Sequence, residues 1–185
     1  MSYITDHKQK FDDLKLRIDN KDQWKKEANG GNSILFCYPP DEERLYINQA
    51  QEIYQGTAAF IDVSKLLVKL IEESGWDAFS DYYRDFQSTP HKVFRSSDKS
   101  EGEMDLFDLI IAEIDLASKQ NKIPFIVRTG SLYGTGIENV NIMEHKIVMS
   151  LPQPLVIFYP SRIEGDNLYF LNFKPASKYR CILVK

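Results

Sequence analysis

Several common chemistries are excluded by what this sequence lacks. It has only two cysteines in 185 residues, Cys37 and Cys181, each inside an apolar run. They read as small buried hydrophobes of a reducing compartment, not as a disulfide framework. The three histidines, His7, His91 and His145, show no ligand spacing to one another or to cysteine, so no metal site is expected. Cations are not in excess: Lys plus Arg is 23 against 27 Asp plus Glu, a net charge of −4. Direct nucleic-acid binding is therefore not expected, because phosphate neutralisation needs clustered cations. No stretch approaches the ~20 apolar residues of a membrane span. Met1 to Lys10 is polar and lacks the apolar stretch of a signal peptide, so the expected location is the cytoplasm.

What is present is an ordinary globular composition, 43% hydrophobic and 27% charged. A chain of this size buries roughly two-thirds of its unfolded surface and needs no staple. One α/β domain over residues 1–185 is the expectation, with an N-terminal helix at about 3–28 and a sheet core at about 33–185. Phe11, Leu14 and Ile18 mark one helical face, with Trp24 extending it, and Asn29-Gly30-Gly31-Asn32 is a stop.

Short continuous apolar runs then alternate with helical patterns. Ser33–Tyr38, Ala58–Val63, Phe125–Val127 and Leu155–Tyr159 read as buried strands, the third introduced by Pro124 and the fourth stopped by Pro160. Asp41 is placed to cap a helix running to Gln55, and Ser64 to cap one ending at Gly75. Trp76, Phe79, Tyr82, Tyr83 and Phe86 form an aromatic stripe at helical spacing, suited to core or partner packing. Residues 87–103 read as a loop carrying His91, Lys92, Arg95, Asp98, Lys99 and Glu101. Helices are expected at 104–120 and 137–149, and late strands at 167–173 and 179–184. The alternation predicts a three-layer sandwich: a mostly parallel sheet, helices on both faces, and an antiparallel C-terminal edge.

Ligands of open α/β sheets sit beyond the carboxyl ends of the strands. Candidate contacts there are Tyr38, Asp41, Asp62, Arg128, Thr129, Gly130, Ser131 and Arg162. A phosphate-binding loop after the first strand needs glycine N–H groups followed by Lys and Ser/Thr. Here Pro39-Pro40 removes two N–H donors, and no Gly-Lys-Ser/Thr triplet occurs. Arg128 follows the third strand where a hydrolase of this type places a Mg²⁺-binding acid. The stretch from Gly130 to Gly136 fits neither G-x-G-x-x-G nor G-x-S-x-G. Asp62 suits helix capping better than metal binding. No residue pair shows the local arrangement that activates a nucleophile, so no catalytic residue and no cofactor is expected.

The strand ends carry a resemblance. Ile34-Leu35-Phe36-Cys37-Tyr38-Pro39-Pro40, Phe60 to Leu66, Phe125 to Tyr133, Pro154 to Pro160, Leu168 to Phe173 and Tyr179-Arg180 stand in the order found in the BrxB family of BREX bacteriophage-resistance systems. The chain resembles a divergent member of it, with Pro160-Ser161 where that family has Pro-Gly. The resemblance implies a fold like a P-loop NTPase without its P-loop. It also implies a non-catalytic assembly or adaptor role, with a PglZ-type, alkaline-phosphatase-like protein as partner. The partner-packing face would be either the aromatic helix, with Trp76, Phe79 and Tyr83, or the turn from Arg128 to Gly136. The alternative is a degenerate NTPase-like domain that senses a nucleotide or anion without hydrolysis, using Arg128 and Arg162 as phosphate contacts.

Overall fold

The computed structural model describes residues 2–97, 99 and 102–185; Asp98 and Glu101 of the expected loop lie outside the described residues. The chain opens with α1 (Ser2–Asp19) and a short α2 (Lys21–Trp24). The spacing predicts one helix to residue 28, but Asn20 breaks it. Its backbone leaves the helical region (φ −114, ψ 34), and its side-chain amide donates to the Leu16 carbonyl at 2.9 Å.

Next comes β1 (Ser33–Tyr38), in which every residue is buried. Pro40–Glu42 form a 3₁₀ turn before α3 (Glu43–Ile53). Asp41 is therefore not a helix cap. Proline at the turn's first position sets its φ, and the α-helix begins only after the turn. β2 (Ala58–Asp62) leads directly into α4 (Val63–Ser74). The cap of α4 is Asp62 rather than Ser64, because its carboxylate accepts from the N–H groups of both Ser64 and Lys65. α5 (Trp76–Phe86) follows. Within the expected loop lies a short α6 (His91–Phe94), anchored by buried Val93 and Phe94. α7 (Leu106–Lys119) starts with a capping box between Asp105 and Asp108.

β3 (Ile123–Val127) includes Pro124, which pairs with Ala59 of β2. Pairing on the other side of β3 begins only at Phe125, so the missing N–H removes no rung of that ladder. The expected helix at 137–149 is two short ones, α8 (Asn139–Met143) and α9 (Lys146–Ser150). β4 (Leu155–Glu164) is not stopped by Pro160. It pairs in parallel with β1 through Tyr38↔Pro160, then turns antiparallel against β5 (Asn167–Phe170) from Ser161 onward. β6 (Lys174–Ala176) completes this small antiparallel ribbon, and β7 (Cys181–Val184) returns to the main sheet.

The main sheet has strand order β2-β3-β4-β1-β7, parallel throughout. The C-terminal edge strand β7 is thus parallel to β1, not antiparallel. The antiparallel pairing lies in the ribbon at the end of β4. β7 can lie beside β1 because the ribbon carries the chain away and back. Gly31 makes room for that return: a Cβ there would stand 1.9 Å from the Arg180 carbonyl oxygen.

Alternation along the strands divides the interior in two. Ile34, Phe36, Phe125, Val156 and Phe158 face α1, α2 and α3, with Phe11, Leu14, Trp24 and Tyr46 across from them. Leu35, Ile61, Ile126 and Ile157 face the helices that follow β2, chiefly Leu66, Leu70, Ile110, Ile114 and Met143. This is the helix-sheet-helix arrangement that a parallel sheet requires. Among the described residues no helix is long and apolar enough to cross a membrane.

Cys37 and Cys181 are free and buried, one in a central strand and one at the edge. Burial pushes the Cys37 thiol up to about 11 and the Cys181 thiol up to about 12, from an ordinary 9.0. Both are therefore expected to resist a thiol reagent until the protein is denatured. Folded-state ionisation lies above unfolded-state ionisation, so this stability is complete below pH 9.0 and disappears as pH rises through the folded values. The denaturant midpoint should fall above pH 9.0, and less steeply in a C37A/C181A variant.

Candidate functional site

The carboxyl ends of β1, β2 and β3 are tied by a polar chain centred on Arg128. This residue takes a left-handed backbone conformation (φ 56, ψ 38), costly for a side chain with a Cβ. The turn aims its guanidinium back over the strand ends. Its Nε lies 3.3 Å from Asp62 Oδ2, and its Nη1 3.6 Å from Glu43 Oε2. The Tyr38 hydroxyl donates to the other oxygen of Glu43 at 3.0 Å. Asp62 Oδ1 accepts from the Ser64 N–H at 3.0 Å, the Ser64 hydroxyl at 2.6 Å and the Lys65 N–H at 3.3 Å.

The chemistry of this chain is that of a strut. One cation meets two carboxylates, so the local charge is −1, and a phosphate approaching Arg128 must displace a carboxylate or face one. The Arg128 side chain is 44% exposed, so each ion pair stabilises only modestly. Burial, and then the charge of Glu43, push the Tyr38 hydroxyl far above its ordinary value, leaving it a donor. Among the described residues, no three His, Cys, Asp or Glu side chains converge as metal ligands do.

The other expected contacts distribute around this strut. Thr129 is buried and donates to the Phe158 carbonyl at 2.6 Å, joining the end of β3 to β4. Gly130 and Ser131 lie in the 3₁₀ turn Thr129–Leu132, with the Ser131 N–H donating to the Arg128 carbonyl at 3.1 Å. Arg162 sits on the ribbon, over the Tyr169 ring at 5.1 Å and ion-paired with Glu164. Asp41 is exposed on the turn before α3. Tyr38, Asp62 and Arg128 thus come together in one polar chain; Arg162 is outside that chain but shares a cleft with Tyr38, and Asp41 is part of neither. Glu43, which joins Tyr38 to Arg128, is not among the contacts expected from the sequence; its proximity to β3 depends on the sheet order.

A second feature is the surface of α5. None of its residues is buried. Trp76 is 67% exposed, and Tyr82 and Tyr83 are exposed beside it. Phe79 differs: it packs against the core and against Phe94, with ring centroids 6.1 Å apart. A cavity of about 380 Å³ lies between α4, α5 and the segment leading to α7, lined by Leu70, Phe79, Tyr82, Val93 and Met104 among others. Lys99 fixes its rim by donating to Asp105 at 2.9 Å and also to Asp108. Burial opposes the Lys99 charge, but the bonds to Asp108 and Asp105 prevail and raise its pKa.

Comparison of the chain with protein-family models, with curated proteins and with solved structures finds no match.

The left-handed strut makes a direct test. Arg128→Ala and Arg128→Gly both delete the guanidinium, but only glycine relaxes the backbone. Arg128→Gly is expected to exceed Arg128→Ala in stability by about 1 kcal/mol in denaturant unfolding. Equal stabilities would mean that the backbone at 128 adjusts without strain.

Proposed function

We propose that this protein is a non-catalytic assembly or adaptor component of a bacterial phage-defence system of the BREX type. Its proposed partner is the PglZ-type, alkaline-phosphatase-like protein of the same system. The observation that carries the binding role is the exposed aromatic face of α5. Trp and Tyr are the residues that most often dominate protein–protein interfaces, and an aromatic face rimmed by polar residues marks such a surface. The BREX assignment itself rests on the ordered resemblance of the strand ends to the BrxB family.

The non-catalytic part of the reading is supported at two strand ends. β1 runs into Pro39-Pro40 and a 3₁₀ turn, where an NTPase needs glycine N–H groups around phosphate. β3 ends in Arg128, whose guanidinium is held by Glu43 and Asp62, where such an enzyme needs an acid for Mg²⁺. The parallel five-strand sheet supports an NTPase-like frame in which both halves of the hydrolytic site have been replaced.

Size-exclusion chromatography with light scattering, on a mixture with the PglZ-type protein from the same operon, tests the reading. A co-eluting complex of summed mass is expected. A Trp76→Ala variant should weaken it by on the order of tenfold, with thermal stability little changed because that side chain is 67% exposed. Two separate peaks at micromolar concentration would overturn the adaptor assignment.

A further inference from the structure

A different cleft opens at the carboxyl ends of β1 and β4. It has a volume of about 400 Å³ and is lined by Lys10, Arg162, Lys185, Asn172, Pro39 and Ile163 together with parts of both strands. Three lining side chains are cationic and none is acidic. That is notable in a chain of net charge −4.

The position is the one where a sheet of this kind holds ligands. After β1 the chain crosses to α3, on the face that carries Tyr46 and Ile47. After β4 it returns past the opposite face, where Asn139 of α8 donates to the Ser177 carbonyl at 2.6 Å and Arg180 lies 3.6 Å from Glu144. Neighbouring strands whose connections leave on opposite faces leave a crevice beyond their carboxyl ends.

Two of the three cations, Lys10 and Arg162, are held in place. Lys10 donates to the Cys37 carbonyl at 3.0 Å and stands over the Tyr46 ring at 5.1 Å. Arg162 is steadied by the Tyr169 ring, and its pairing with Glu164 offsets part of its charge. Asn172 reaches the cleft from a turn in which it and Leu171 both take left-handed backbone, φ 70 and 50. Left-handed leucine is rare and strained, and such strain concentrates at binding sites. The turn is anchored by the Leu171 N–H, which donates to the Pro160 carbonyl at 2.8 Å. Between these groups Pro39 and Ile163 give the cleft apolar wall, the mixture usual in small-molecule sites.

We propose that this cleft binds a phosphate monoester carried on an apolar or aromatic body, the class that includes nucleoside monophosphates. Lys10, Arg162 and Lys185 meet the phosphate, Asn172 adds an amide donor, and Pro39 and Ile163 meet the body. The cleft adjoins the Arg128 strut through Tyr38, which lines it, but it takes no side chain of Arg128 or of α5, and it does not depend on the adaptor role.

Titration with adenosine monophosphate, followed by calorimetry and by amide NMR shifts, tests the proposal, with adenosine and inorganic phosphate as separate arms. Saturable binding is expected, with shifts at Lys10, Ile163 and Asn172. Adenosine and inorganic phosphate should each bind at least roughly tenfold more weakly, because each lacks one half of the recognised group. Arg162→Gln and Lys10→Met should each lower affinity by roughly tenfold while leaving the amide spectrum folded. Overturning results are no heat at millimolar nucleotide, adenosine binding equal to that of the monophosphate, or shifts that map away from the cleft. Inorganic phosphate binding as tightly as the nucleotide would overturn the assignment of the apolar wall.

Discussion

Everything in this molecule is arranged around a strand that cannot touch water. β1 is covered on both faces and paired on both edges, with Ile34, Leu35 and Phe36 wholly buried. Six consecutive residues without an exposed side chain leave no tolerance for a one-sided sheet. Two helical layers are therefore obligatory, and the aromatic contacts show how tightly they close. Phe36 lies 4.8 Å from Phe158 of the adjacent strand β4, on the same face, and 5.0 Å from Phe11 of α1, ring centre to ring centre. Such ring pairs add to what area burial alone supplies. The N-terminal helix is thus a wall of the core rather than an appendage.

The strand ends inherit their chemistry from that burial. Backbone and side chains leaving an apolar layer must find polar partners within a few residues. Tyr38 does so through Glu43, Asp62 through the start of α4, and Thr129 through the Phe158 carbonyl. Arg128 joins two of these solutions, and its left-handed backbone is the local cost of doing so. Groups at the ends of β1, β2 and β3 satisfy one another instead of facing a ligand. In the cleft beside β4 the satisfaction is partial: Lys10 and Arg162 each have a protein partner, yet no acidic side chain lines the cleft, because β4 runs on past the sheet and carries Arg162 and the 171–172 turn beyond Glu43 and Asp62.

Much of the fold was legible in the sequence. Continuous apolar runs such as Ser33–Tyr38 located the central strands, because burial on both faces erases the alternation of a half-exposed strand. What escaped reading was set by partners distant along the chain. Pro160 looked like a stop, yet a strand can keep a proline where its ladder changes partners. The late strands looked like a hairpin, because proximity in sequence favours antiparallel pairing. Only the ribbon's return brings β7 parallel to β1. At the site, Tyr38, Asp62 and Arg128 were found individually, while Glu43, Lys10, Asn172 and Lys185 were not. Their roles depend on which strands are neighbours, and no local pattern encodes that.

The register of β1 also has a consequence for how the chain becomes a protein. Its two neighbours are drawn from the far end of the sequence: Ser33 lies beside Leu155 on one side and Cys181 on the other. During synthesis this fully buried strand emerges early and waits, with both edges open, while the intervening helices are made. Topologies dominated by such distant pairings fold slowly and expose aggregation-prone surface on the way. Phe11, Leu14 and Trp24, which emerge just before β1, supply the first local cover it has in that interval, and Tyr46 and Ile47 of α3 add to it from the same face just after. The N-terminal helix therefore serves the nascent chain as a built-in shield before it serves the folded one as a wall.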